Sequence, residues 1–291
     1  MNKGIEFIPG EISCPVCSGG KINIYYNYKE FIIYKCLECR MLFRAHGSDE
    51  FYDWHSDKVY CAENLDLSGR KAMADGTVKR IQKDLKIELA GLKVLEIGVG
   101  MGVLGEALIM AGANYEGIEP SRHFFKKSLD TFPALKGRVK NCFLCDASLK
   151  ENDFDLIVMV DTLEHVAKPL ELLKQSKRLL KPSGILYLEA PSEYLLKTKA
   201  FIRRKLGLYA GYPTHVDHVS LFTKQTLKEI AIRAGFWPIA IKEIMVLGDY
   251  HRMHMLMPSL NSFFLRSICM FFRIVKIDNI LKTGNLSVAL K

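Results

Sequence analysis

The chain has 291 residues, 49% hydrophobic and 25% charged, which makes a globular protein able to bury one good core beside a small appendage. Its 41 Lys and Arg against 32 Asp and Glu leave a formal charge of +9, but the cations are spread among the carboxylates, so no nucleic-acid partner is expected. No uncharged apolar run reaches the roughly eighteen residues that span a bilayer, and the opening MNKGIEFIPG lacks a secretory apolar segment, so the expected compartment is the cytoplasm.

Four of the eight cysteines stand as Cys14-Pro-Val-Cys17 and Cys36-Leu-Glu-Cys39, eighteen residues apart. This doubled C-x2-C spacing is that of a structural zinc site, in which two tight turns each point two thiolates inward. The intervening INIYYNYKEFIIY reads as a β-hairpin that brings the turns together, so residues 1–46 are expected to form a zinc ribbon. A closed four-thiolate site leaves no open coordination position, so the zinc is expected to hold the fold and not to react. Cys142 and Cys145 repeat the spacing, but VKNCFLCDA reads as a strand, where residues three apart face opposite ways. With Cys61 and Cys269 they are expected to be ordinary core or surface thiols.

Residues 47–89 read as a linker followed by a lead-in helix from about Arg70 to Leu89, where apolar positions recur at helical spacing. From residue 90 a rhythm sets in. LKVLEIG is a strand, VLGEALIMAGA a helix, YEGIEP a strand, SRHFFKKSLDTF a helix and VKNCFLCDA a strand. After a turn at Glu151-Asn152-Asp153 come the strand FDLIVMV, the helix PLELLKQSKRLL, a turn at Pro182-Ser183-Gly184 and the strand ILYLEAP. Apolar strands alternating with amphipathic helices indicate a mostly parallel sheet covered on both faces. The expected fold is doubly wound α/β, Rossmann-like, with its ligand at the carboxyl ends of the strands.

The first of those ends is VLEIGVGMG, residues 94 to 102. A P-loop would need a lysine where Leu104 stands, so an NTPase is excluded. The dinucleotide fingerprint would place its third glycine at Val103, whereas the chain has Gly98, Gly100 and Gly102 at every second residue. A loop without side chains lets a nucleoside approach the backbone, and Glu96, beside it, suits an amine or sulfonium better than a pyrophosphate. Glu119, at the end of the second strand, suits a bidentate hold on ribose hydroxyls. Asp146 closes the third strand and Asp161 the fourth.

Together, VLEIGVGMG, Glu119, CDA, FDLIVMVDTLEHV and LLKPSGILYLEAP resemble the class I S-adenosylmethionine-dependent methyltransferases, from about residue 90 onward. The resemblance implies a seven-stranded sheet over 90–291, with NLSVALK as the antiparallel seventh strand at the sheet edge. It implies that Glu96 with Gly98, Gly100 and Gly102 packs against the methionine part of S-adenosylmethionine, that Glu119 takes the ribose, and that Asp146 takes the adenine amino group, with Asp161 completing the set.

A ribbon ahead of such a domain, with HVDHVSLFTKQTLKEIAIRAGF behind its fifth strand, resembles bacterial methyltransferases acting on sugars or other small metabolites. The expected acceptor is therefore a small molecule, a sugar or nucleotide-sugar methylated at carbon or oxygen. The alternative is an O-methyltransferase for a quinone or secondary metabolite. An NAD-dependent sugar oxidoreductase needs Tyr-x-x-x-Lys, and Tyr194 is followed four later by Thr198. A non-catalytic binding protein fits poorly with an intact cofactor set. Deprotonation of the acceptor points to His218 as base with His215 orienting the acceptor, and His165 as a further candidate, because imidazole titrates near the working pH. Lys197, Lys199, Arg203, Arg204 and Lys205 read as a solvated helix face or a diphosphate grip. SFFLRSICMFFRIVKI, 262–277, reads as a homodimer contact or packing over the sheet, with a peripheral membrane helix as the alternative.

Overall fold

A computed structural model of the chain describes residues 12–27, 32–44, 67–192, 218–244 and 285–291. The hairpin expected between the cysteine pairs is present as β1 (Ile22–Asn27) and β2 (Ile32–Cys36), antiparallel, and a third strand, β3 (Leu42–Arg44), pairs with β2. The lead-in helix α1 (Leu67–Leu85) stops four residues before the expected end. Lys86 takes φ 55 there, and the Ile87 N–H reaches back to the Gln82 carbonyl at 3.2 Å, closing the helix as a Schellman turn without a glycine.

The α/β rhythm then runs as read: β4 (Lys93–Ile97), α2 (Val103–Met110), β5 (Asn114–Ile118), α3 (Arg122–Thr131), β6 (Val139–Lys140), β7 (Phe154–Val160), α4 (Pro169–Leu179) and β8 (Leu180–Pro191). The turn expected at Pro182-Ser183-Gly184 is an irregularity inside β8, whose register with β7 jumps between the Phe154–Leu180 and Leu156–Ile185 pairs. After it come β9 (Ser220–Leu221), α5 (Lys224–Arg233), β10 (Pro238–Ile244) and β11 (Asn285–Leu290).

Seven strands form one sheet in the order β10-β11-β8-β7-β4-β5-β6, with only β11 antiparallel to its neighbours. The expected antiparallel seventh strand is therefore real but lies one place in from the edge. β10, not foreseen from the sequence, covers it.

Two expectations fail at the other edge. VKNCFLCDA leaves the sheet after Lys140, because the Asn141 side-chain amide donates to the carbonyls of Glu119 (2.8 Å) and Pro120 (3.0 Å), where a continuing strand would have placed its own N–H. The chain turns into a 3-10 helix at Leu144–Asp146, so Cys142 lies on the bend before it and Cys145 within it, and the two are not on opposite faces of a strand. Cys145 is exposed and Cys142 partly buried.

Successive residues of the central strands feed opposite faces of the sheet. Val94, Leu156, Val158 and Tyr187 join Val78, Ile81, Leu104 and Leu108 of α1 and α2. Leu95, Ile157, Met159, Leu186 and Leu188 join Leu173 of α4 and Leu227 and Ile230 of α5. Cys14, Val16, Tyr34, Cys36, Met41 and Phe43 of the cysteine-bearing region belong to that second cluster too, so its core is continuous with the sheet. Each fully buried Leu or Ile here contributes about 1.5–3 kcal/mol. One charged group interrupts the apolar β8: Glu189, 1% exposed, accepts bidentate bonds from Arg80 of α1 (2.9 and 3.0 Å) and one from Tyr187 Oη (2.7 Å). The pair fastens α1 to the sheet, as a buried carboxylate requires a charged partner. Among the described residues no helix is long and apolar enough to cross a membrane.

Candidate active site

β4 to β8 run parallel, so their carboxyl ends share one edge of the sheet. The glycine loop leaves β4 with Gly98, Gly100 and Gly102 at φ 84, 53 and 81, a backbone that L side chains rarely adopt. Their duties differ. A Cβ on Gly98 would lie 2.5 Å from Thr162 Oγ1, and one on Gly102 would lie 2.6 Å from Leu135 Cδ1, so close packing beneath the loop requires both. At Gly100 a Cβ would meet nothing within 4 Å, which leaves its backbone approachable.

Glu119 closes the loop from the next strand. Its Oε2 accepts the Gly100 N–H at 2.7 Å and its Oε1 accepts the Ser121 N–H at 2.8 Å. Burial pushes this carboxyl above the usual range, against the pull of those two donors. Each oxygen retains a lone pair, the arrangement a vicinal diol needs.

Glu96 corrects the sequence reading. It is 3% exposed and accepts the Tyr115 hydroxyl at 2.6 Å, inside the core and not at a ligand's amine. Tyr115 reaches it through a slot that two glycines keep open, since a Cβ on Gly105 or Gly117 would lie 2.5 or 2.6 Å from the Tyr115 oxygen. Burial, with nearby Glu119, pushes the Glu96 carboxyl up to about 8 from 4.5. A carboxyl raised on folding favours the folded state most when protonated. Its contribution is complete below about pH 4.5 and is lost as the pH rises through about 8. Glu96→Gln, which keeps an acceptor for Tyr115, is expected to remove this fall, a difference on the order of a few kcal/mol. Thermal midpoints of both proteins against pH test it; parallel curves would sink the assignment.

Asp146 lies exposed at the end of its 3-10 helix, beyond β6, and Asp161 lies exposed beyond β7 at φ 48, its N–H donating to the Glu189 carbonyl at 3.0 Å. Thr162 ties the β7 loop to the glycine loop by donating its hydroxyl to the Ile97 carbonyl at 3.1 Å. One 3-10 turn further on, Leu163–His165 carries buried Glu164 and partly exposed His165. His218, 6% exposed, packs edge-to-face on His165 with ring centroids 5.0 Å apart. Ligand atoms of Glu164, His165 and His218 all lie within 4.8 Å of one another. The structure thus assembles an acid–imidazole cluster from two loops fifty residues apart in sequence. His215, the basic stretch 195–207, the segment 262–277, Cys61 and Cys269 lie outside the described residues.

The four expected metal ligands do converge. Cys14 Sγ is 3.4 Å from Cys39 Sγ, Cys17 Sγ is 3.5 Å from Cys36 Sγ, and all four sulfurs lie within 4.8 Å of one another. A tetrahedron with Zn–S bonds of about 2.3 Å has edges near 3.8 Å, so a zinc ion fits. Each pair is a knuckle of the same design: the residue after its second cysteine, Ser18 or Arg40, has positive φ. Burial pushes the Cys14 thiol up to about 11, while at Cys36 the N–H groups of Cys39 and Glu38 outweigh burial and hold the thiol below its ordinary value.

Arg80 and Glu189 were missed as neighbours of the site. The signal was a lone glutamate in the apolar run ILYLEAP, which a buried strand carries only with a charged partner.

A family model described as a methyltransferase domain matches residues 61–241. Curated relatives include a ubiquinone biosynthesis O-methyltransferase of Actinobacillus pleuropneumoniae, 36% identical over 106 residues, which are 34% of this chain and 45% of that one. Another, of Psychrobacter arcticus, is 29% identical over 168 residues, 53% of this chain and 63% of its own. The chain thus spans about half the length of the curated relatives it matches. In fold it is similar to an S-adenosylmethionine-dependent methyltransferase of Archaeoglobus fulgidus, with a TM-score of 0.52 and 18% identity over 84% of this chain and 100% of that one. A second, from Mesorhizobium loti, has a TM-score of 0.51 and 15% identity over 75% of this chain and 99% of that one.

Proposed function

This chain belongs to the methyltransferase domain family, as a class I S-adenosylmethionine-dependent enzyme, and from that premise we propose that it O-methylates a ring hydroxyl of a small phenolic acceptor of the quinone-precursor type. The observation that carries this reading is the His165–His218 pair beside buried Glu164, on the loop that Thr162 ties to the glycine loop.

Two considerations move the acceptor away from the sugar or nucleotide-sugar first expected. The curated relatives carry ubiquinone O-methyltransferase names. Proton energetics point the same way. Transfer from a phenol, with a pKa of about 10, to an imidazole near 6.5 is uphill by about 5 kcal/mol. From an alkyl hydroxyl, with a pKa near that of water at about 15.7, the same transfer is uphill by roughly 12 kcal/mol. A histidine base therefore suits a phenol.

S-adenosylmethionine, when bound, supplies an electrophilic methyl group on a sulfonium. Glu119 would hold the ribose diol, Asp146 the adenine amino group, and the open backbone at Gly100 the methionine part, with Gly98, Gly102 and Glu96 fixing the loop from beneath and Asp161 flanking it. His218 takes the proton from the acceptor hydroxyl as the oxygen attacks. Glu164 offsets the positive charge left on the imidazole pair, and His215 orients the acceptor. Cys14, Cys17, Cys36 and Cys39 would hold a structural zinc.

The test is turnover with S-adenosylmethionine on simple catechols against nucleoside-diphosphate sugars. A catechol is expected to be methylated at least about tenfold faster, as a single better-matched proton transfer allows. Turnover of the sugar alone would return the acceptor to the first expectation.

A further inference from the structure

We propose that the four-cysteine metal site is a positioning device for the acceptor site: metal bound between the two knuckles holds β3 against β9 and, through it, His218. The inference rests on the reading of His218 as the base.

The second knuckle is itself the turn that joins β2 to β3. Cys36 ends β2, its N–H donates to the Met41 carbonyl at 2.9 Å, and β3 begins at Leu42. On its other side β3 pairs antiparallel with β9, Leu42 with Leu221 and Phe43 with Ser220. Between β9 and His218 stands one residue, Val219, and its backbone bridges the two halves of the site. Its carbonyl accepts the Arg44 N–H at 2.9 Å, and its own N–H donates to the Glu164 carbonyl at 2.8 Å. Ser220 Oγ adds a bond to the Val166 carbonyl at 3.4 Å. The chain of contacts thus runs from sulfur to β3, from β3 to Val219, and from Val219 to both Glu164 and His218.

Only two residue pairs, Leu42 with Leu221 and Phe43 with Ser220, join β3 to β9, so this pairing gains from a further restraint on β3. Metal supplies it, because a thiolate site stores its binding free energy as folding free energy. Nothing in this chain of contacts passes through Glu119 or Gly100. Metal loss should therefore be felt at the acceptor and not at the cofactor.

The experiment compares the full chain loaded with one zinc, the same chain after chelation, and Arg44→Pro, which keeps all four thiols but lacks the N–H that reaches Val219. Catechol is the acceptor probe. Chelation and Arg44→Pro are each expected to lower kcat about 10- to 100-fold, the cost of a displaced catalytic group. They should also speed amide exchange at Val219 and flatten the acid limb of the kcat–pH profile. The dissociation constant for S-adenosylmethionine, read by calorimetry, should change less than about twofold, since Glu119 and Gly100 share no hydrogen-bond partner with Arg44 or Val219 in these contacts. In a His218→Ala background chelation should cost nothing further. If the chelated chain unfolds outright, Arg44→Pro with full zinc decides. Wild-type kcat and Val219 exchange in that variant, or parallel loss of cofactor affinity, overturns the inference. Should zinc-loaded His218→Ala instead keep wild-type turnover, the base assignment fails, and Val219 exchange still reports whether metal holds β9.

Discussion

His218→Ala is expected to lower turnover with a phenolic acceptor roughly 100-fold or more while leaving S-adenosylmethionine affinity unchanged. His218 is nearly buried, packed on His165 and set beside Glu164. An imidazole so placed can accept a proton at the moment the acceptor oxygen attacks. The variant should also lose the acid limb of its rate profile, because the group whose protonation silences the wild type is gone. His165→Ala should cost less, since His165 is the more exposed of the two. If His218→Ala and His215→Ala both keep near wild-type rates from about pH 6 to 9, proximity or another base performs the reaction.

Glu119→Ala is expected to weaken S-adenosylmethionine by about 1 to 3 kcal/mol, roughly 5- to 150-fold. The loss has two sources. The ribose hydroxyls lose their acceptor, and the Gly100 and Ser121 N–H groups lose theirs. Glu119→Gln separates them. Its amide can keep one of the two backbone bonds but turns an N–H toward the other donor, so affinity should fall between wild type and alanine. Calorimetry finding the alanine variant equal to wild type would remove Glu119 from the cofactor site.

The sheet was legible because β4, β7 and the second half of β8 are largely apolar, with the helices α2, α3 and α4 set between them in the chain. What was misread depends on partners distant in sequence. Asn141 ends β6 by capping carbonyls on a neighbouring strand, and nothing in VKNCFLCDA signals it. Lys86 stops α1 in a left-handed turn where a glycine would have announced it. β3 and β9, three and two residues long, carry too little pattern to be read, although their pairing is what joins the cysteine-bearing sheet to the site.

The candidate site divides in the same way. Placing the glycine loop, Glu119, His165 and His218 at one sheet edge followed from topology alone. Why the loop needs its glycines did not. Gly98 and Gly102 answer to Thr162 and Leu135, and Glu96 answers to Tyr115, nineteen residues away. A carboxylate beside a glycine loop looks ligand-facing in sequence, and only packing shows it buried.

The most direct test of phenol O-methylation is to supply S-adenosylmethionine carrying a labelled methyl carbon, with a catechol and a nucleoside-diphosphate sugar together, and to locate the label by NMR. Label in an aryl methyl ether, lost on His218→Ala, is the expected result. Label on a sugar carbon or sugar oxygen, with the catechol unchanged, would contradict it.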